Sequence, residues 1–390
     1  MISKRKTEIN FAELYLDHIG FTRDGLKHIA NKLTNDNKAT VAFIGGSVTE
    51  GEGASDSEAT SYRALTYRYL ERRFPETAFK FINAAIGGTN STYGAFRLEE
   101  HVFDQGDVDL LFVEFAVNDA GNLTESIRAM EGIVRHAKRS NPQIDICFIY
   151  TARRSGSESY SANRRLQDNI YNHEEVAEYY RIPSVNIASV IYNKVISGEL
   201  KWEDISGDDV HPNDFGYALY ASVLEVFLEN ELIVSNEKSE DPLALPSPID
   251  SVCYENGRQL SPLLAETSFN WRMIEGWTTE QFFNWAPPAD IYLGESPGAE
   301  FQFSFTGTAV GISLLAGKDT GNIEVSIDGG AFRTIPLFDR YCSMFYRPII
   351  VMFSDHLERR SHTVNIRISS EKHEMSRGHE VHILKLLVNE

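Results

Sequence analysis

The stretch "VAFIGGSVTEGEG", Val41–Gly53, is an apolar run that breaks into glycines, a serine and two glutamates. A short apolar run bounded by glycines reads as a buried strand entering a tight turn. Such a turn either cradles a phosphate or presents a nucleophile. The phosphate template G-x-x-x-x-G-K-[ST] finds its glycines in Gly46 and Gly51, but Glu52 stands where the lysine belongs. Glu50 adds a second negative charge. The dinucleotide pattern G-x-G-x-x-G fails too, because Gly51 and Gly53 lead to Asp56 where the third glycine should be. A loop carrying two carboxylates is not built for phosphate.

Outward from this turn, apolar runs alternate with amphipathic segments. Strands are expected at 40–45, 79–84, 108–116 and 144–150, and helices at 60–73, 91–104, 123–140 and 160–180. Near-continuous apolar strands separated by helices predict an α/β domain with a parallel sheet covered on both faces. Ligands of such sheets bind beyond the carboxyl ends of the strands, where the opening stretch lies. The acidic, proline-containing segment 235–248 then interrupts the pattern. Downstream, short runs such as "AEFQFSF", "NIEVSI" and "HTVNIRI" are separated by turn signals, which predicts an antiparallel β-sandwich. The expected division is an α/β domain over 1–235, a linker over 236–260 and an all-β domain over 261–390.

Of the 390 residues, 37 are Lys or Arg and 56 are Asp or Glu, for a net charge of −19. A surface that acidic repels nucleic acid and anionic lipid headgroups, whereas a neutral ligand such as a sugar meets no such barrier. Cys147, Cys253 and Cys342 are scattered and odd in number, which suits a reducing compartment and predicts no disulfide framework. The start, "MISKRKTEINFAEL", has basic residues without an apolar stretch behind them, so a cytoplasmic location is expected.

A nucleophile needs a base, a group to orient that base, and donors for the developing oxyanion. Ser47 directly follows the first strand, although the G-x-S-x-G elbow is absent. Far downstream, "GDDVHPNDFGYALYA" (207–221) sets Asp208 three residues before His211, with a helix expected after Pro212. In a compact turn that spacing lets a carboxylate reach imidazole Nδ1 and leaves Nε2 for a serine.

Four segments in chain order resemble the motif blocks of the SGNH (GDSL-type) hydrolase superfamily. They are "GGSVTEG" around Ser47, "NAAIGGTNS" (83–91) with Gly88, "FAVNDA" (115–120) with Asn118, and "DDVHP" (208–212) with Asp208 and His211. The resemblance covers residues 40 to about 230. It implies a three-layer α/β/α, flavodoxin-like domain. It also implies Ser47, Asp208 and His211 as catalytic residues, and an oxyanion hole formed by Ser47, Gly88 and Asn118. Two positions depart from the pattern. Gly46 replaces the usual acid before the nucleophile, and Ala116 the usual glycine of the third block. The adjacent Asp209 competes with Asp208 as orienter, and the family's D-x-x-H spacing selects Asp208. The 261–390 segment resembles jelly-roll, carbohydrate-binding-like modules of SGNH carbohydrate esterases. That implies an esterase removing acetyl groups from oligosaccharides derived from mannan or xylan, with no metal or organic cofactor. A lipid or aryl esterase and a non-catalytic carbohydrate-binding protein are the alternatives. The oligomeric state stays open, a homodimer included.

Each residue also has a plainer reading. Ser47 could form a turn, Asn118 could cap a helix, Gly87 and Gly88 could supply positive φ, and Asp208 and His211 could be a surface pair. Asp214 reads as a helix N-terminal acid. Glu50 and Glu52 read as a solvated loop, and Glu114 and Asp119 are too ordinary here to mark glycosidase chemistry. "HEVH" (379–382) with His373 could bind a metal, but an exposed edge strand is the preferred reading. Trp271, Trp277 and Trp285 read as core.

Overall fold

The computed structural model describes residues 19–232, 244–268, 270–279 and 289–390. The N-terminal stretch 1–18, residues 236–243 of the expected linker and Trp285 lie outside the described residues. The chain groups into two compact units. The first comprises residues through Ala85, Asp107–Ile127 and Asn141–Pro246; the second comprises Ile86–Gly106, Arg128–Ser140 and Ser247–Glu390.

The first unit is built on a six-stranded sheet. Its strands are β1 (Gly20–Phe21), β2 (Lys38–Gly45), β3 (Ala78–Ala85), β4 (Leu110–Glu114), β5 (Asp145–Tyr150) and β6 (Ser184–Asn186), in the order β1-β6-β5-β4-β2-β3. All neighbours are parallel except β1, which runs antiparallel on the β6 edge. Counted from β2, the five parallel strands lie in the flavodoxin-like order 2-1-3-4-5. Every residue of β4 and β5 is buried, as their apolar runs 110–113 and 146–150 require, and Glu114 and Asp145 at their ends are buried with them. Phe43 and Phe112 stack at 4.4 Å between neighbouring strands in the sheet's core.

All four expected strands form, but β4 stops at Glu114, so Phe115 and Ala116 belong to the turn beyond it. The expected helix over 160–180 is two helices, Arg154–Asn163 and Asp168–Tyr179. Arg164 separates them in the left-handed region, with φ +58°.

The second unit carries two antiparallel sheets. One runs β15-β12-β17-β10-β9, with β7 (Gly257–Leu260) also on β17; the other runs β14-β13-β16-β11-β8. Their ranges are β8 Glu266–Thr267, β9 Trp271–Trp277, β10 Ala289–Gly294, β11 Glu300–Gly307, β12 Ala309–Ala316 and β13 Ile323–Ile327. Then follow β14 Arg333–Ile335, β15 Arg347–Ser354, β16 Arg360–Ile368 and β17 Val381–Asn389. β11 alternates strictly between exposed and buried residues, sending Phe301, Phe303 and Phe305 into a core shared with Val364, Ile312, Leu314 and Ile383. Trp271 joins that core, its ring stacked 5.7 Å from Tyr292.

The helix Ser91–His101 also belongs to this unit. Its Glu100 holds Lys385 of β17 at 2.8 Å, and its Phe96 packs on Tyr254. Glu131 accepts from the backbone N–H groups of Ile249 and Asp250, and Arg128 donates to Asp250. The chain entering β7 is therefore fastened to the helix Leu123–Ser140 at residues Arg128 and Glu131.

Candidate active site

β2 lies between β3 and β4, so the chain leaves the sheet in opposite directions on its two sides. This is the topological switch point, where a crevice opens outside the strand ends. Gly45, the last residue of β2, sits level with Ala85 and Glu114. The next residues turn at once into a four-residue helix, Ser47–Glu50, closed by Gly51 at φ +107°. That conformation strains any residue with a Cβ.

Ser47 is partly exposed, and its Oγ lies 2.9 Å from His211 Nε2. His211 Nδ1 lies 2.8 Å from Asp208 Oδ2. The other oxygen, Asp208 Oδ1, accepts from the backbone N–H groups of Val210 (2.8 Å) and His211 (2.7 Å). One carboxylate thus shapes the turn and holds the ring carried by that turn. Ser206 Oγ closes the same turn by donating to the His211 carbonyl. Partial burial pushes the Asp208 carboxyl upward, but the N–H bonds from His211 and Val210 and the His211 ring outweigh it. The carboxyl therefore sits below its ordinary range and remains ionised beside the ring.

Asp209 does not compete with Asp208. It accepts from Ser155 N at 2.9 Å and pairs with Arg153 at 3.3 Å, facing the segment that follows β5. Pro212 and Asn213 then start the helix Asp214–Glu231, with the Asn213 side chain capping Gly216 N. Asp214 accepts from Ser55 N and Oγ and from Thr60 Oγ1, binding the 51–60 loop to this helix start.

Asn118 lies in the turn after β4. A Cβ built on Gly46 would stand 2.3 Å from Asn118 Oδ1, so glycine at 46 is what admits the amide beside Ser47. The departure from the family acid at this position therefore has a steric reason. Asn118 does not cap the helix that follows: Asn122 Oδ1 accepts from Glu125 N instead. The Asn118 Oδ1 atom is buried without a partner among the described residues. Gly88 lies in the second unit, three residues past β3, at φ +71°. Its turn is closed by Thr89 Oγ1 donating to the Ile86 carbonyl, and Asn90 caps the helix Ser91–His101.

The backbone of the opening stretch is held by two buried side chains. Arg63, fully buried, donates to the carbonyls of Thr49 and Glu50. Tyr217 donates to the Glu52 carbonyl at 2.6 Å. Gly53, at φ +89°, has room only for hydrogen, since a Cβ would meet the Pro212 carbonyl at 2.6 Å.

A network beneath the serine was not visible in the sequence. Glu114 is 1% exposed, accepts from Thr49 Oγ1 (3.1 Å) and Thr151 Oγ1 (2.8 Å), and so ties the turn after β2 to the ends of β4 and β5. Burial pushes its pKa up to about 7 despite both hydroxyl donors. Asp119 instead pairs with the buried His173 at 2.8 Å, so the two acids flanking Asn118 do not face each other as a catalytic pair.

Residues 43–219 match the GDSL-like Lipase/Acylhydrolase family. That match supports reading the protein as a carboxylic ester hydrolase. No curated protein matches the chain in sequence. Among solved structures, a two-domain esterase (CEX) active on acetylated mannans, co-crystallised with mannopentaose, is similar with a TM-score of 0.77 and 23% identity. That match covers 95% of this chain and 96% of the other. A second structure of a two-domain esterase (CEX) active on acetylated mannans gives 0.76, also at 23% identity, covering 95% and 97%. Axe2, an acetylxylan esterase from Geobacillus stearothermophilus, matches at 0.41 and 21% identity, covering 52% of this chain and 97% of its own. The first two matches establish the fold across both parts of the chain: an α/β domain with a parallel sheet, then antiparallel β-sheets. No helix among the described residues is long and apolar enough to cross a membrane.

Proposed function

We propose that the protein is a serine esterase that removes O-acetyl groups from oligosaccharides derived from mannan or xylan. The observation that carries this reading is the hydrogen-bonded chain Ser47–His211–Asp208 at the switch point of the sheet. In the first step His211 Nε2 takes the Ser47 proton as Oγ attacks the acetyl carbonyl carbon. Asp208 holds the ring in the tautomer with hydrogen on Nδ1 and stabilises the imidazolium. The tetrahedral oxyanion is bound by the backbone N–H groups of Ser47 and Gly88 and by the Asn118 amide. Each such donor typically contributes about 2.7–4 kcal/mol in the transition state. Collapse breaks the bond to the sugar oxygen, which leaves with the proton from His211. Water, deprotonated by His211, then attacks the acetyl-Ser47 ester and releases acetate.

The whole-chain likeness to an esterase active on acetylated mannans supports this substrate class, and the net charge of −19 favours a neutral substrate. In this reading 1–235 is the catalytic domain, 236–260 the linker, whose last four residues join the sheet of the second unit as β7, and 261–390 a jelly-roll, carbohydrate-binding-like module that helps select the sugar. A cytoplasmic site of action belongs to the same reading, supported by three free, buried cysteines. The test is acetate release from acetylated manno- and xylo-oligosaccharides, measured beside acetyl, butyryl and octanoyl model esters. Preference for the acetylated sugars is expected. Preference for octanoyl esters would make the protein a lipid or aryl esterase, and sugar binding without turnover would make it a binding protein.

A further inference from the structure

The "HEVH" stretch does not form an exposed edge. β17 lies inside its sheet, between β12 and β10, and His382 is 2% exposed. The His382 ring lies 4.9 Å from Trp277 and stacks on Tyr346, 5.8 Å away and inclined by 13°. Nε2 meets Glu380 Oε2 at 2.8 Å, while Nδ1 is buried with no partner among the described residues. His373, the other histidine of the sequence expectation, is elsewhere, stacked on Phe338 at 4.7 Å.

A third group arrives from the turn after β12. Glu380 N donates to the Asp319 carbonyl (2.9 Å) and Gly321 N to the Glu380 carbonyl (3.0 Å), so two chain segments are laced together. The lacing needs glycine: a Cβ on Gly321 would lie 2.7 Å from His379 Cα. One oxygen of the Asp319 carboxylate accepts from the Tyr346 hydroxyl; the other, Oδ1, is buried and unpartnered. One ligand atom from each of Asp319, Glu380 and His382 lies within 4.8 Å of the others.

Two carboxylates and a buried imidazole, whose Nε2 already faces Glu380, make an electron-rich, partly enclosed site. We propose that Asp319, Glu380 and His382 bind a divalent transition-metal ion, with zinc the best match. Imidazole with carboxylates suits zinc, whose bonds of about 2.0–2.2 Å place tetrahedral ligands roughly 3.4 Å apart. A modest contraction of the cluster reaches that spacing, and the fourth position is left for water. Calcium, which takes about 6–8 oxygen ligands, is poorly served by two carboxylates. The Glu380 side chain is 32% exposed and provides the route in from solvent. Bound metal would fasten the turn after β12 to β17 and hold Tyr346 through Asp319.

The test uses the full chain, stripped with a chelator and dialysed. Zinc is titrated by calorimetry, with manganese and calcium in parallel, and melting is followed with and without zinc. Expected are one zinc per chain, weaker binding of the other two ions, and a zinc-dependent rise in Tm. Asp319→Asn and Glu380→Gln, near-isosteric and checked by circular dichroism, each remove a direct ligand, and should weaken zinc binding by at least the roughly 10-fold that loss of an outer-shell partner costs and abolish the rise. Absence of saturable zinc binding, or binding unchanged in both variants, overturns the proposal. Neither readout involves ester turnover, so the result is independent of the esterase reading.

Discussion

Replacing Glu114 with glutamine should make the protein's stability less sensitive to pH, in a direction the structure dictates. The carboxyl is buried at the end of β4, its ordinary value is 4.5, and burial raises it to about 7. A carboxyl with a raised folded pKa binds its proton more tightly in the native than in the unfolded state. Stability therefore falls as pH rises from about 4.5 to about 7, and stays low above that. An interval of about 2.5 pH units at about 1.36 kcal/mol per unit corresponds to about 3 kcal/mol. Glutamine mimics the protonated acid: its carbonyl accepts from one threonine and its amide can donate to the other hydroxyl. Urea unfolding of wild type and Glu114→Gln at pH 5, 6, 7 and 8 measures the effect. The variant should gain on the wild type by roughly 1 kcal/mol per pH unit through the lower part of this range, levelling off above pH 7. A difference constant from pH 5 to 8 would refute the reasoning, because Glu114 would then be ionised in the folded protein at low pH.

Two further predictions follow from the serine turn and the histidine turn. Gly46→Ala drives a Cβ into Asn118 Oδ1, so kcat should fall by about 10²–10³ with a smaller change in KM, as measured by steady-state kinetics on an acetyl ester. Asp208→Asn should lower kcat by roughly 10⁴, whereas Asp209→Asn, whose exposed pair with Arg153 contributes less than about 1 kcal/mol, should leave kcat within a few-fold.

β2, β4 and β5 were legible because they are buried on both faces, which forces near-continuous apolar sequence, whereas β3, at the sheet edge, is mostly unburied. β1 and β6 escaped notice: two and three residues carry no periodicity to read. The break at Arg164 escaped for a different reason, since neither glycine nor proline marks it. Whether β17 is central or at an edge is a matter of long-range pairing, and its hydrogen-bonding neighbours leave no local signature. In the site, Ser47, His211 and Asp208 were legible from spacing, and the structure brings them into one hydrogen-bonded chain. Asp209 could be separated from Asp208 only by its partners, Arg153 and Ser155. Glu114 looked like any other acid, because what distinguishes it is burial and two threonines 65 and 37 residues away. Gly46 looked like a defect in a motif until Asn118 was seen to occupy the space a side chain would need.

The central claim is that Ser47 is the acyl-accepting nucleophile. The most direct measurement is acetate release from an acetylated manno-oligosaccharide by wild type and by Ser47→Ala, both shown to be folded by circular dichroism. The account predicts turnover by the wild type and loss of at least about 10³-fold in the variant. Turnover by purified Ser47→Ala at a rate near that of the wild type would contradict it.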